Sequence, residues 1–351
     1  MKICYLANAS SVHTQKWVKH FVDIGYEVHV ISHVNSNIEG AYVHYIDYNI
    51  RNFLFKKSEV HNKIRIINPD ILHAHQANTC GLYAVTMKGY RTVVSAWGSD
   101  ILLAPEQSLV MKKIVQYVLK RADIITSDAE FMTKRIIELG GYRSKVYTFP
   151  MGIEDNLLSY KRSINTESNS LRIITNRKHE PIYNIDVIIK GYSMALKKNK
   201  DLFLTIAADG SYMNKLKNLV KDLNIESKVV FTGKYNIEEL GNMLIDNDVF
   251  ISIPDSDSTS VSLLESMCCG LFPIVSDLPG NREWIDNGKN GLVLENIDSK
   301  AVEQAILWCS NNKNILKEAS FYNAKLIEKK ALWRNNIKIV EDIYNKLLSN
   351  K

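Results

Sequence analysis

The sequence predicts an α/β protein made of two doubly wound, parallel-sheet domains. Three observations predict it. The chain has 351 residues. At roughly 150 residues per domain this suggests two domains, each able to bury its own core. Short apolar runs alternate with amphipathic helical stretches, the pattern of strands joined by crossover helices. The alternation runs twice, broken by the polar stretch SYKRSINTESNS at 159–170, which lacks apolar periodicity and reads as an inter-domain linker.

In the first half the strand candidates are Ile3–Leu6, Val28–Ser32, Ile71–Ala74, Thr92–Ser95, Ile124–Thr126 and Val146–Phe149, with helix patterns at Gln15–Ile24, Val110–Arg121 and Glu130–Leu139. After the linker, strands are expected at Leu171–Thr175, Phe203–Ala207, Val229–Thr232, Val249–Ile253, Phe272–Val275 and Leu292–Leu294. Helices at about Ile185–Lys197, Tyr212–Leu223, Ile237–Leu244 and Val261–Cys269 fit between them. From Lys300 onward the pattern is consecutive helices, ending in the amphipathic stretch Trp333–Leu348. The expected division is therefore 1–158, a linker at 159–170, 171–332, and a terminal helix in 333–351. Two consecutive α/β domains place a ligand cleft between them.

Composition narrows the function classes. Apolar residues at 46% and charged residues at 23% exclude disorder and fibrous or disulfide scaffolds. No apolar run approaches the roughly 20 residues of a membrane span. The start, MKICYLANAS, reads as a strand, so no signal peptide and a cytoplasmic location are expected. The five cysteines, Cys4, Cys80, Cys268, Cys269 and Cys309, form no C-x-x-C and read as reduced buried thiols. The formal charge of +6 lies wholly in residues 1–163, with 20 Lys+Arg against 14 Asp+Glu. Basic residues on helical stretches there (Lys56, Lys57, Lys63, Arg65, Lys112, Lys113, Lys120, Arg121) suit anionic lipid head groups or a phosphorylated acceptor. No nucleic-acid motif accompanies them.

No G-x-G-x-x-G and no G-x-x-x-x-G-K-[ST] is present, which argues against dehydrogenases and P-loop NTPases. The turn after the first strand, NASSVHTQKW, carries His13, Thr14 and Gln15 and opens a helix whose amides can face an anion. The segment SIPDSDSTSVSLLESMCCGLFPIVSD has the same form. Ser258, Thr259 and Ser260 are candidate N-caps for a helix beginning at Val261, a phosphate-binding geometry at the end of a parallel strand. Asp257 and Glu265 flank that start, on the order of 10 Å apart. Asp255 and Asp257 form a D-x-D string, but next to helix amides a metal is not expected. Arg177 follows the first strand of the second domain, where a guanidinium can hold a diphosphate bidentately; an ion pair with Glu180 is the alternative. Two further strand ends carry polar groups: His73 and His75, then Trp97, Gly98, Ser99 and Asp100.

These pieces together resemble the retaining glycosyltransferases of the GT-B fold, in the E-x7-E group of glycosyltransferase family 4, over essentially the whole chain. Asp257 to Glu265 followed by SMCCGLFPIVSDLPGNREWIDNGKNGLV resembles the family's E-x7-E, A-x-G-x-P-V, G-x-x-E and N-G. FPMGIE at Phe149–Glu154 resembles the P-N-G-[VI]-D of its domain boundary. AADGS at Ala207–Ser211 resembles G-D-G-P, and FTGK at Phe231–Lys234 the F-x-G turn near the nucleotide base. SAWGSD resembles H-G-[ST]-D, and WRNNIKIVEDIYNKLL the terminal helix that returns to the first domain. Four departures from the pattern stand out: Asp257 for Glu, Ser258-Thr259-Ser260 for G-F-G, Trp97 for His, and Ile182 and Tyr183 where a Lys usually stands.

The resemblance implies roles. Arg177, Asp257 and Asp100 are the expected catalytic groups. Glu265 would hold the ribose, and Asp257 the donor sugar. Ser258, Thr259, Ser260, Val261, Gly233, Lys234, Tyr183 and Asp209 complete the donor site. His13, Thr14, His75, Trp97 and Ser99 are the expected acceptor or sugar pocket. The implied activity is transfer, with retention, from a nucleotide-sugar, a UDP-sugar for preference, to a glycan, lipid-linked or cell-surface polysaccharide acceptor. No cofactor and no metal are expected, since the nucleotide-sugar is a substrate. Expected partners are donor, acceptor and an anionic membrane surface on the inner face, with no nucleic acid. A sugar-nucleotide epimerase of the same fold and a non-catalytic sugar-nucleotide or glycan-binding protein are the alternatives.

Overall fold

The computed structural model describes residues 1–49, 51–162 and 164–349. They form two compact units: Met1–Phe149 together with the chain from Lys338 onward, and Pro150–Ile337.

The first unit is built on a seven-stranded sheet: β1 (Lys2–Leu6), β2 (Glu27–Ser32), β3 (Tyr42–Tyr45), β4 (Ile71–His75), β5 (Arg91–Ser95), β6 (Ile124–Ser127) and β7 (Val146–Thr148), in the order β3-β2-β1-β4-β5-β6-β7. The second has six strands: β8 (Leu171–Thr175), β9 (Leu202–Ala207), β10 (Val229–Gly233), β11 (Val249–Ser252), β12 (Phe272–Ser276) and β13 (Leu292–Leu294), in the order β10-β9-β8-β11-β12-β13. Every pairing is parallel. Helices cover both faces of such sheets, so central strands read as unbroken apolar runs; all five residues of β4 and of β12 are buried. The strand order reverses between β1 and β4 in one sheet and between β8 and β11 in the other. At such a switch point the two neighbouring loops run to opposite sides, leaving room for a ligand at the strands' C-terminal ends.

The expected strands are all present, with ends shifted by a residue or two, and the terminal helix runs over Trp333–Ser349. Several elements go beyond the expected spans, among them strand β3 and the helices Phe53–Ile67 and Thr79–Val85. The boundary also differs. The two units divide at Phe149/Pro150, within FPMGIE, and the described residues of 159–170 belong to the second unit. The reason is visible in its bonds. Arg162 donates through Nη2 to Asp248 at 2.7 Å and through Nη1 to the Ile245 carbonyl at 3.0 Å, so this polar stretch is fastened to the core. Lys313 Nζ reaches the carbonyls of Ser168 and Ser170.

At the join itself, Ile153 N–H donates to the Ala331 carbonyl (2.8 Å) and Trp333 N–H to the Ile153 carbonyl (2.9 Å). Gly152 makes this possible. Its φ is +84°, and a Cβ there would lie 2.9 Å from the Trp333 nitrogen. In the first unit the terminal helix is bonded into the sheet: the buried Tyr344 hydroxyl meets Tyr5 at 3.0 Å and His73 Nδ1, and His73 Nε2 meets Ser95 Oγ at 2.8 Å. The five cysteines are buried as free thiols. No helix among the described residues is long and apolar enough to cross a membrane.

Candidate active site

In the second unit, the loops after β8 and β11 meet at the switch point. Arg177 extends from the end of β8, 8% exposed. Its Nη2 donates to Asp257 Oδ2 at 2.7 Å and its Nη1 to Ser260 Oγ. Tyr183 lies under the guanidinium, with the ring centroid 4.4 Å from Cζ. Ser260 is the N-cap of the helix Val261–Cys268 and accepts from Leu263 N–H. A cation and a helix N-terminus, both attractive to anions, are thus held together by one hydroxyl. Arg177 pairs with Asp257, not with Glu180, whose carboxylate takes the Ser211 amide at 2.9 Å and its hydroxyl.

Asp255 is engaged differently. Its Oδ1 accepts from Asn184 Nδ2 at 2.8 Å, while the same amide group donates to the Ile253 carbonyl. With its backbone N–H on the Ile182 carbonyl, Asp255 staples the two loops together. Tyr183, expected in the donor site, presents its ring face to Arg177.

Glu265 projects from the same helix, half-buried. One residue near it was not expected from the sequence. Tyr235 donates to the Asn176 carbonyl at 3.3 Å, and its hydroxyl pKa is pushed up to about 12 by burial and then by the charge of Glu265, with Arg177 opposing. It therefore stands within electrostatic reach of both predicted donor groups. Its only sequence signal is its place just after FTGK. Gly233, Lys234 and Asp209 form the outer rim: Ala208 N–H donates to the Gly233 carbonyl, and Lys234 and Asp209 pair at 3.4 Å in solvent. Ser258 and Thr259 are buried in the turn, and Val261 opens the helix.

In the first unit, the loops after β1, β4 and β5 gather the expected acceptor residues. The Trp97 ring lies 4.3 Å from His75, tilted by 41°, and meets His13 edge-on at 5.7 Å. Thr14 Oγ1 meets His75 Nδ1 at 3.2 Å. Thr14, His75 and Asp100 are nevertheless buried, so they support a surface that His13, Trp97 and Ser99 present. Burial, and then His73 and His13, hold the His75 pKa well below the usual range, so the ring is neutral; its Nε2 is buried without a partner. Asp100, expected to be catalytic, is 1% exposed and accepts from Ala77 N–H (2.6 Å) and Trp97 N–H (3.0 Å). It pins the β4 and β5 loops to each other. Burial raises its pKa, opposed by these amides.

Two doubly wound parallel sheets, each with polar groups gathered at its switch point, define the GT-B class of glycosyltransferase. Residues 2–129 match the family model described as glycosyl transferase 4-like, and residues 159–326 that described as glycosyl transferases group 1. The chain belongs to the GT-B glycosyltransferases of the family 4 type. It is 25% identical to the N-acetyl-alpha-D-glucosaminyl L-malate synthase of Bacillus anthracis, over 68% of this chain and 65% of that one. An uncharacterised glycosyltransferase of Methanocaldococcus jannaschii is 21% identical over 96% and 94%. Among solved structures, Anabaena HepE in complex with UDP and glucose superposes with a TM-score of 0.79 at 16% identity, over 98% of this chain and 99% of that one. Sucrose-phosphate synthase of Thermosynechococcus elongatus gives 0.82 at 12% identity, over all of both chains.

Proposed function

We propose that this glycosyltransferase moves a sugar, with retention, from a UDP-sugar to a glycan or lipid-linked acceptor, without a metal. The observation that carries the reading is the joining of Arg177 to the N-cap of the helix Val261–Cys268. The barrier to transfer lies in breaking the glycosidic C–O bond, which leaves negative charge on the departing diphosphate. Preorganised cations and amides aimed at that charge lower the barrier most. A guanidinium has five N–H donors, so a diphosphate can be held by those not engaged with Asp257 and Ser260. Asp257 is then placed for the donor sugar and Glu265 for the ribose hydroxyls. In the favoured same-face displacement the leaving phosphate oxygen takes the acceptor's proton, so no separate base is required.

UDP complexes of similarly folded chains support the choice of nucleotide. Metal independence is supported by the use already made of the two aspartates: Asp257 pairs with Arg177 and Asp255 with Asn184. Membrane association is supported by exposed Leu54 and Phe55 beside Lys56 and Lys57, and by exposed Leu109 and Val110 beside Lys112 and Lys113.

The test is a thermal-shift panel of UDP, GDP, CMP and ADP, followed by transfer assays in EDTA with the product's anomeric configuration read by NMR. UDP should stabilise by about 2.7 kcal/mol at 100 times its Kd. Inverted product, or transfer restored only by Mg²⁺ or Mn²⁺, would overturn the corresponding part. Equal partitioning onto neutral and anionic vesicles would remove the membrane.

A further inference from the structure

We infer that the first unit holds a separate pocket that selects an uncharged, polyhydroxylated ring. A cavity of about 500 Å³ opens beside the β4 loop, lined among others by Tyr48, Asn49, Gln76, Asn78, Gln107 and Met111. That size lies in the range of small-molecule sites, and the loops after β3 and β4 place it at the C-terminal end of the sheet, where such folds bind ligands.

The chemistry of the lining selects the ligand class. The first unit carries 21 Lys+Arg against 14 Asp+Glu. Yet no Lys, Arg, Asp or Glu lines this cavity, and burial holds the pKa of its one histidine, His33, below the usual range, so that ring too is neutral. A phosphate or carboxylate ligand would enter without a counter-charge, at a desolvation cost nothing repays. Primary amides fit a sugar instead, since each both donates and accepts, as a hydroxyl does. Tyr48, Cys80 and Met111 give the apolar wall that a sugar ring's C–H face requires.

Hydrogen-bonding capacity is left over. Asn78 Nδ2 donates to Gln76 Oε1 at 3.1 Å. Gln76 Nε2 and the side-chain amide of Gln107 have no protein partner among the described residues. The backbone beneath is built to hold Gln76. Its φ is +84°, unusual for a residue with a Cβ, and such strain collects at binding sites. Its N–H donates to the Ser95 carbonyl at 2.7 Å, its carbonyl accepts from Gly81 N–H at 3.1 Å, and the next amide is held by Asp100.

The inference rests on the transferase reading only in calling the bound ring an acceptor. Binding itself is tested on the full chain without donor, by saturation-transfer NMR with methyl glucoside, methyl galactoside and methyl N-acetylglucosaminide, against glycerol phosphate and methyl glucuronoside. At least one neutral glycoside should bind, and more tightly than either anion. Asn78→Ala and Gln107→Ala should each weaken it at least fivefold. UDP affinity should stay unchanged in both variants. The exposed position of Gln107 keeps a variant available even if Asn78→Ala fails to fold. No neutral glycoside bound at 50 mM, equal binding of the anions, or full affinity in folded Gln107→Ala would overturn the pocket. Failure of UDP to bind the unaltered chain would instead overturn the choice of a UDP-sugar donor and leave the pocket standing.

Discussion

The two switch points solve opposite electrostatic problems. In the second unit Arg177, Asp257 and the helix N-terminus put formal charge and backbone dipole at one place. In the first unit His75, Thr14 and Trp97 form a neutral layer of packed rings, and the buried carboxylate beside it, Asp100, is spent on backbone amides. The same topology therefore supports a site for a strongly charged group and a site for an uncharged one. What differs is the side chains that the strands flanking each switch point present: a guanidinium after β8, an imidazole at the end of β4.

The sharpest way to break this contrast is Arg177→Ala. Turnover should fall about 10²–10³-fold, comparable to losing one oxyanion-type donor. Near-full steady-state turnover on a UDP-sugar would show that the phosphates bind elsewhere. Glu265→Gln comes next. If the carboxylate accepts from ribose hydroxyls, UDP affinity should drop by about 1.5–3 kcal/mol; calorimetry finding no change in the folded variant would end that role.

A pH experiment sharpens the other half of the comparison. Burial lowers the His73 pKa to about 3, against about 6.5 in the unfolded chain. Below pH 6.5 the unfolded chain thus binds a proton that the folded one does not, and stability falls as pH drops through that window. At pH 5 His73 alone should cost about 2 kcal/mol. Hydrogen exchange of the terminal-helix amides, corrected for intrinsic rates, should report it; equal protection at pH 7 and pH 5 would contradict a neutral buried ring. The smallest effect concerns Tyr183. Its ring face supports Arg177, so Tyr183→Ala should lower turnover about threefold, within the range for a partly exposed cation–π contact. Tyr183→Phe keeps the ring and should stay near full rate. Equal losses in the two variants would return the role to the hydroxyl.

Much of this was legible in the chain. Both sheets announced themselves because parallel strands buried on two faces leave unbroken apolar runs. Strand β3 did not: it is an edge strand of four residues, YVHY, none of them buried, so no run marks it. The linker was misplaced for a related reason. Polarity at 159–170 suggested solvent, but Arg162 spends its charge on Asp248 and a carbonyl within the fold. At the candidate site, the meeting of the strand-end Arg177 with the helix start at Asp257 and Ser260 was legible from strand ends and helix-cap chemistry, though the sequence offered Glu180 and not Asp257 as an ion-pair partner. Tyr235 was not, because its position depends on how the β10 loop folds back toward Asn176. Nor was the burial of Thr14, His75 and Asp100, since a polar residue at a strand end looks the same whether it faces a ligand or holds a loop.

The bond between Tyr344 and His73 has a consequence for how the protein is made. The first unit's sheet is complete once Phe149 has been synthesised, but Tyr344 and the rest of its closing helix emerge only at the end of the chain. At 5–20 residues per second the ribosome needs about 10–40 s to supply the intervening Pro150–Ile337. Throughout that interval Tyr5, His73 and Phe21, all packed against Tyr344 in the finished fold, lack their cover. Until Lys338 and the residues after it are made, the nascent first unit leaves these three side chains uncovered, and a chain stopped before Lys338 should be less stable to denaturant than the full chain.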